Sequence, residues 1–216
     1  MKLTDDTKQR LIDAAAQVFA EKGFAQATVR EICSRAKANI AAVNYYFRDK
    51  EQLYAETLRR AHCMRLEEVP PPQWPLDTPP EEKLYGFIRV MVERLADQES
   101  PPWFMQLMLR EMLQPSAAGY ELVREFIRPQ FELLLGIITE IVGPDVPEMR
   151  RHMIGFSIVG QCLYYKIGRH IALTLVGEEE FRQYDLDRLS QHIFEFSRAA
   201  LHGLRQNTLV ERRVTQ

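Results

Sequence analysis

The chain has 216 residues, 46% of them hydrophobic, and a formal net charge of −2, so it can bury one large or two small cores and is not a disordered chain. Residues 1–60 carry 11 Lys and Arg against 8 Asp and Glu, whereas the remainder carries 17 against 22. Three widely spaced cysteines argue against a disulfide framework and favour a cytoplasmic protein. We expect no membrane partner, because no signal core and no uncharged run near the ~20 residues of a membrane span is present.

The first predicted element is an amphipathic helix over residues 5–22 that ends at Gly23. Its apolar face is formed by Leu11, Ile12, Ala15, Val18 and Phe19. We expect this helix to pack over the next two helices and to complete a three-helix unit.

The stretch from Thr28 to Leu53 predicts two short helices, a tight turn between them and the start of a longer helix. Thr28 and Glu31 have the spacing of a capping box. Asn39 can cap the second helix and Asp49 the third, because their side-chain oxygens accept from free amides of a first helical turn. Two short helices joined by a three-residue connector indicate a helix-turn-helix.

The second of these helices, about residues 40–47, has an unusual outward face. At 100° per residue, Ile40, Val43 and Phe47 fall on one side and are expected to anchor the helix. The other side and its flanks carry Ala41, Ala42, Asn44, Tyr45 and Tyr46. Small residues, tyrosines and an amide suit close approach to a grooved surface better than they suit solvation alone.

Two stretches, AAAQVFAEKGFAQATVREICSRA and NYYFRDKEQLY, resemble the TetR family of bacterial transcriptional regulators over about residues 5–60. The second is similar to the family signature Tyr-x-x-Phe-x-x-Lys-x-x-Leu, with Asn44 in place of the first tyrosine. Lys37 stands where the family usually has a turn glycine, so a positive φ there would carry modest strain. The segment GQCLYY near residue 160 is similar to one TetR subgroup with its own type of C-terminal domain.

The helix-turn-helix gives a predicted set of DNA contacts. The predicted base readers are outward residues of the second helix and, by resemblance, one arginine of the first: Ala41, Ala42, Asn44, Tyr45 and Arg30. The predicted phosphate contacts are Thr28, Tyr46 and Lys50. Ile40, the first residue of the second helix, is also expected to contact DNA. Asn44 could pair with an adenine if it turns outward.

The remaining chain is predicted to be helical, which makes the fold all-α. We place a helix-turn-helix DNA-binding domain at 1–50 and a helical effector-binding and dimerisation domain at 51–210. The expected helices cover 50–68, 81–99, 103–114, 119–142, 146–175 and 186–206. Residues 70–80 hold six of the 12 prolines and form an extended loop, Pro129 predicts a kink or break near Arg128, and the tail after 206 should fray.

The last two helices carry more apolar surface than a monomer easily covers, which favours a homodimer built on a four-helix interface. The residues expected there are Gly155, Ser157, Val159, Gly160, Leu163, Ile167 and Ile171. One large core within the chain is the alternative.

The resemblance implies a ligand-sensing body, and soft apolar side chains with a few polar anchors fit a pocket for a small-molecule effector. The predicted lining residues are Phe87, Met91, Trp103, Met105, Met108, Arg110, Phe126, Phe156, Gln161 and Tyr165. Ordinary core packing would explain the same pattern.

Catalytic motifs are not evident: there is no Gly-rich phosphate loop and no His-Glu-x-x-His. Glu148 and His152, four residues apart, are better explained as a solvated pair than as metal ligands. We therefore expect no enzyme, metal or cofactor, but a repressor released from a palindromic DNA operator by a small molecule. The alternatives are a helical binding protein or enzyme with a purely structural N-terminal motif, and an activator or architectural protein without an effector.

Overall fold

The computed structural model describes the backbone of residues 2–96 and 101–214, and the side chains of 6–95 and 101–206. Every regular element in these ranges is helical, as the sequence predicts. The helices are α1 (Lys2–Gln26), α2 (Val29–Ala36), α3 (Ile40–Phe47), α4 (Lys50–Glu68), α5 (Pro80–Ala96), α6 (Pro102–Leu113), α7 (Ala117–Leu122), α8 (Arg128–Val142), α9 (Glu148–Ile167), α10 (Arg169–Val176), α11 (Glu178–Phe181) and α12 (Leu186–Val214). The predicted end of α5 at residue 99 lies outside the described residues.

The chain forms two compact units, each made of two stretches of the sequence. The first unit contains Met1–Glu68 and Glu99–Arg128, and the second contains Val69–Gln98 and Pro129–Gln216. Helices α4, α6 and α7 thus pack with the N-terminal three-helix group, because Leu53, Leu58 and Leu107 are buried in the same core as Phe19 and Ile32.

Unit two has its own core, formed where α5, α8, α9 and α12 bury one apolar face each. Fully buried members include Leu84, Ile88, Leu134, Ile138 and Ile193. Burying such large side chains stabilises each by about 1.5–3 kcal/mol relative to exposure. Because each of these helices buries one apolar face, the helical spacing of their apolar residues predicts them correctly.

The predicted helix 119–142 is interrupted near Arg128, as expected. Residues Val123–Ile127 form a π-helical turn, and the amide of Arg128 donates to the carbonyl of Val123. Pro129 follows and has no amide hydrogen to continue an α-helical ladder. The wider turn absorbs this mismatch just before the proline.

Three predictions about the C-terminal half were wrong. The predicted helix 146–175 is divided at Gly168 into α9 and α10, the loop 177–185 contains α11, and α12 continues to Val214 instead of ending at 206. At Gly168 an added Cβ would lie 2.9 Å from the ring and carbonyl of Tyr164. A residue with a Cβ at this position would therefore require Tyr164 to shift.

Candidate nucleic-acid interface

The three N-caps predicted for the helix-turn-helix are confirmed. Thr28 Oγ1 accepts from the Glu31 amide at 3.2 Å, and Asn39 Oδ1 accepts from the Ala41 amide at 2.9 Å. Asp49 Oδ1 likewise accepts from the Gln52 amide at 2.8 Å. Each cap satisfies an amide that has no partner inside its helix, so the start of each helix is fixed locally.

The predicted reciprocal half of the capping box is replaced by ion pairs. The Glu31 carboxylate accepts from Lys22 Nζ at 2.8 Å and lies 3.6 Å from the Arg35 guanidinium. Arg35 also makes two bonds to Glu21, at 2.7 and 2.9 Å. These contacts join α2 to the end of α1.

Helix α3 is anchored by two of the three predicted residues. Val43 is fully buried and Phe47 is 6% exposed, whereas Ile40 is 46% exposed. The expectation that Ile40 anchors the helix was wrong, because the first turn of α3 extends past the core of unit one. Ile40 instead adds apolar surface to the exposed side of the motif.

The outward face of α3 is accessible and uncharged. Tyr45 is 77% exposed, and Ala41 and Asn44 are also exposed. Ala42 and Tyr46 are half-buried against the core, and the Tyr46 ring meets the Tyr45 ring edge-to-face at 4.9 Å between centroids. The face therefore offers apolar, hydroxyl and amide groups on a helix that is held rigidly from behind.

The other predicted DNA contacts differ in their availability. Thr28 and Arg30 are exposed. Lys50 Nζ, in contrast, donates to the carbonyls of Phe24 at 2.8 Å and Ala27 at 3.0 Å, and lies 4.4 Å from the Phe24 ring centroid. Two of its three donors thus hold the end of α1 against α4, a role that the sequence did not indicate.

The connections on both sides of α3 use left-handed backbone. Lys37, in the turn, has φ 51° and ψ 43°, as its position at the usual glycine predicted. Arg48, after α3, has φ 72° and ψ −50°, which sequence reasoning missed. Only Arg48 and Asp49 connect Phe47 to the start of α4, and this short connection was the available signal for a sharp turn.

Helix α6 is fastened to α1 and α4 within unit one. Arg110 donates from Nε to the Ala20 carbonyl at 2.7 Å and from Nη2 to the Glu21 carbonyl at 2.8 Å. Tyr54 on α4 donates its hydroxyl to Glu111, whose other oxygen accepts from the Ser116 amide and hydroxyl at 3.0 Å. Burial and the Glu111 carboxylate raise the pKa of Tyr54 far above its ordinary value.

Two family models match this chain. Residues 11–57 match the model of bacterial regulatory proteins of the tetR family. Residues 80–204 match the model of the C-terminal domain of the HTH-type transcriptional dual regulator CecR, which is more than half of the chain. The chain belongs to the TetR family of transcriptional regulators.

Relatives of this TetR-family chain are similar along their whole length. The HTH-type transcriptional dual regulator CecR of Shigella flexneri is 29% identical, with 95% of this chain and 96% of that protein covered. The fatty acid metabolism regulator protein of Bacillus subtilis (strain 168) is 24% identical over 94% of this chain and 100% of that protein. A solved Clostridium perfringens putative fatty acid metabolism regulator has the same fold, with a TM-score of 0.62 at 20% identity, and 86% of this chain and 94% of that one covered.

This TetR-family protein is a DNA-binding transcriptional regulator, and its relatives are regulators rather than enzymes. In the part of the chain that the structure describes, no helix is long and apolar enough to cross a membrane. Nor do the described residues bring together three or more His, Cys, Asp or Glu side chains that could hold a metal ion.

The predicted effector residues fall into both compact units of the regulator. Unit one contains Trp103, Met105, Met108, Arg110 and Phe126; unit two contains Phe87, Met91, Phe156, Gln161 and Tyr165. Their surroundings differ within each unit. Met108 and Trp103 pack on the core of unit one, Phe87 is buried, and Phe156 is 63% exposed and stacked on Phe131 at 4.9 Å.

Unit two also has a surface cavity of about 800 Å³, bounded by α9, α10, α11 and α12. Its lining residues are Tyr165, Val176, Glu179, Glu180, Gln183, Tyr184, Arg188, Leu189 and His192. Only Tyr165 belongs to the predicted effector set. The other lining residues were not predicted; four of them, Glu179, Glu180, Gln183 and Tyr184, lie between the predicted helices 146–175 and 186–206.

Proposed function

We propose that the protein is a homodimeric repressor that binds a near-palindromic operator and leaves it when a small molecule binds. The observation that carries this proposal is the exposed, uncharged face of α3, with Tyr45 77% exposed above buried Val43 and Phe47. A rigid helix with such a face fits the major groove, where base edges offer donors, acceptors and methyl groups.

In this proposal, residues of α3 read base edges and their neighbours bind phosphates. Ala41, Ala42 and Tyr45 contact bases, with Asn44 available for an adenine, and Arg30 at the start of α2 adds a second reader. The phosphate contacts are Thr28, Tyr46 and Lys50. Lys50 would use the one N–H that its bonds to the Phe24 and Ala27 carbonyls leave free.

Dimerisation is supported by a continuous exposed stripe on α9. Met149, Met153, Phe156, Gly160, Tyr164 and Ile167 recur every three or four residues, and the five large side chains among them are 71, 46, 63, 48 and 46% exposed. Gly160 lies in the same register with open space over it, so a second helix can approach closely. Exposed stripes of this kind mark interaction surfaces.

The stripe differs from the face expected at the interface. An added Cβ at Gly155 would lie 2.8 Å from the Phe131 ring, so Gly155 serves packing within the chain, and Val159 and Leu163 are half-buried. On α12, Phe196 is 63% exposed, whereas Ile193 is buried. We propose that α9 and α12 of two copies form the four-helix interface.

A charge in the stripe tests this interface. Phe156→Glu should convert the dimer to a monomer in analytical ultracentrifugation, because the charge would be buried without a partner. Gln106→Glu, at an exposed position on α6, is the matched control and should leave the dimer intact. A monomeric wild type would refute the proposal.

Release from DNA is proposed to follow a population shift, in which the effector favours a state with α4 tilted. Effector and DNA must then weaken each other's binding by the same factor. The predicted lining residues and the cavity beside Tyr165 are the proposed places for the effector. Operator affinity that stays constant while every candidate ligand saturates the protein would exclude this mechanism.

A further inference from the structure

Among the described residues, only two that are not glycine have a positive φ, and both are cations flanking α3. Lys37 lies two residues before the N-cap Asn39, and Arg48 immediately follows Phe47. Left-handed backbone favours glycine or asparagine, because a Cβ clashes with the neighbouring carbonyl. The chain thus keeps long cationic side chains at the two positions where the backbone disfavours them.

The Lys37 side chain has no role in the fold. Its backbone ends α2 through bonds from the Lys37 amide to Ser34 at 3.3 Å and from the Ala38 amide to Cys33 at 2.9 Å. Glycine would form both bonds without strain. The Lys37 side chain is exposed, and its ammonium has no hydrogen-bond or ion-pair partner within the described part of the chain.

Arg48 is the central residue of a γ-turn. The Asp49 amide donates to the Phe47 carbonyl at 2.9 Å, and φ 72° with ψ −50° is the rare, strained form of this turn. The Arg48 side chain is 89% exposed, and its guanidinium lies 3.9 Å from the Asp49 carboxylate. Asp49 is already used as the cap of α4, so this pair explains little of why an arginine is there.

We propose that Lys37 and Arg48 are phosphate clamps that hold α3 at both edges of the major groove. The proposal rests on the proposed placement of α3 in that groove. A recognition helix lies in the major groove, and residues at or beyond its ends contact the phosphate backbone that borders the groove. Cations beyond each end of α3 can therefore reach the two phosphate backbones while Lys50 remains bonded to Phe24 and Ala27.

Glycine substitutions separate this role from folding. Lys37→Gly and Arg48→Gly relieve the backbone strain and remove one cation each, so thermal stability should stay equal or rise while DNA affinity falls. Each lost phosphate contact should make the slope of log K against log salt shallower by about 0.9 and weaken binding about fivefold at 0.15 M salt. A variant homodimer loses two such contacts, so its slope should be shallower by about 1.8 and its binding weaker by about 25-fold. A side chain that matters only for folding would not move the salt slope.

The assay is fluorescence anisotropy of the full chain on a duplex that the wild type recovers from a random-sequence pool, titrated with potassium chloride. Lys37→Arg should retain the wild-type slope, and Arg182→Gln, which removes an exposed cation directly after α11, should also leave the slope unchanged. Selective wild-type binding with unchanged slopes in both glycine variants would overturn the clamp alone. Recovery of no selective duplex would overturn the DNA-binding role of α3, and the clamp with it.

Discussion

Replacing Arg110 tests whether this residue fastens α6 to α1. Its guanidinium donates to the carbonyls of Ala20 and Glu21, the last turn of α1 before Gly23 breaks the helix with φ 76°. Carbonyls in the last turn before a helix break lack amide partners further along the helix, and a cation at a helix C-terminus also interacts favourably with the helix dipole. Arg110→Ala should therefore destabilise unit one.

The magnitude follows from the two bonds. A hydrogen bond involving a charged group contributes about 1.5–3 kcal/mol when buried, and half of that remains at this partly exposed site, where water can replace the donor. Two bonds and a dipole contribution of ~0.5 kcal/mol give about 2–3.5 kcal/mol. For a chain of this length, the loss lowers Tm by roughly 4–14 °C.

Thermal unfolding followed by circular dichroism measures the effect. Arg124→Ala, an exposed arginine of the π-turn, is the control and should change stability by less than ~0.5 kcal/mol. The Tm of Arg110→Lys should lie between those of the wild type and Arg110→Ala, because lysine keeps the charge but lacks the planar guanidinium that makes two bonds. If the Arg110→Ala protein kept the wild-type Tm but no longer responded to the effector, Arg110 would not fasten α6 and would act as the predicted ligand contact instead.

Further predictions concern packing, capping and pH. Gly119→Ala should lower the free energy of unfolding by about 2–3 kcal/mol, because the added Cβ would lie 1.9 Å from the hydrogen-bonded Glu111 carboxylate. Gly136→Ala, where the space is open, should raise it by ~0.5–1 kcal/mol. Urea unfolding measures both changes. Asn39→Ala removes the N-cap of α3, so it should lower the free energy of unfolding by about 1 kcal/mol and weaken operator binding. Asn39→Ser keeps a capping oxygen and should preserve both, so equal operator affinity of the two variants would contradict the role of the cap. Burial raises the pKa of the Cys162 thiol from 9.0 to about 12. Above pH 9 the thiol therefore loses its proton in the unfolded chain but keeps it in the folded chain, and the free energy of unfolding falls by about 1.4 kcal/mol for each pH unit. Urea unfolding of Cys162→Ala from pH 8 to 11 should show a shallower decline, and parallel declines would show that this thiol does not titrate on unfolding.

The N-terminal motif could be predicted because its determinants are local. Caps at Thr28, Asn39 and Asp49 act within three residues of the helices that they start, and the apolar period fixes which side of α3 is buried. Where packing decided the outcome, local patterns were insufficient. Ile40 has the period of an anchor but lies past the end of the core, and Gly168 breaks a helix through its approach to Tyr164.

Site residues that depend on distant partners were the least predictable. Arg110 bonds to carbonyls 89 and 90 residues away, and Lys50 bonds to carbonyls 23 and 26 residues away. The sequence shows that these two residues are charged, but it does not show which distant backbone carbonyls they contact. The predicted effector set shows the same difficulty, because its ten members divide between two compact units.

The most direct test of the regulator proposal is the binding of the full chain to the DNA upstream of its own gene, titrated against salt. We expect two protomers to bind one near-palindromic site selectively, with affinity that falls steeply as salt rises because bound counterions are released. Binding that is absent, or equal for a scrambled duplex of the same length at low salt, would contradict the proposal that α3 reads an operator.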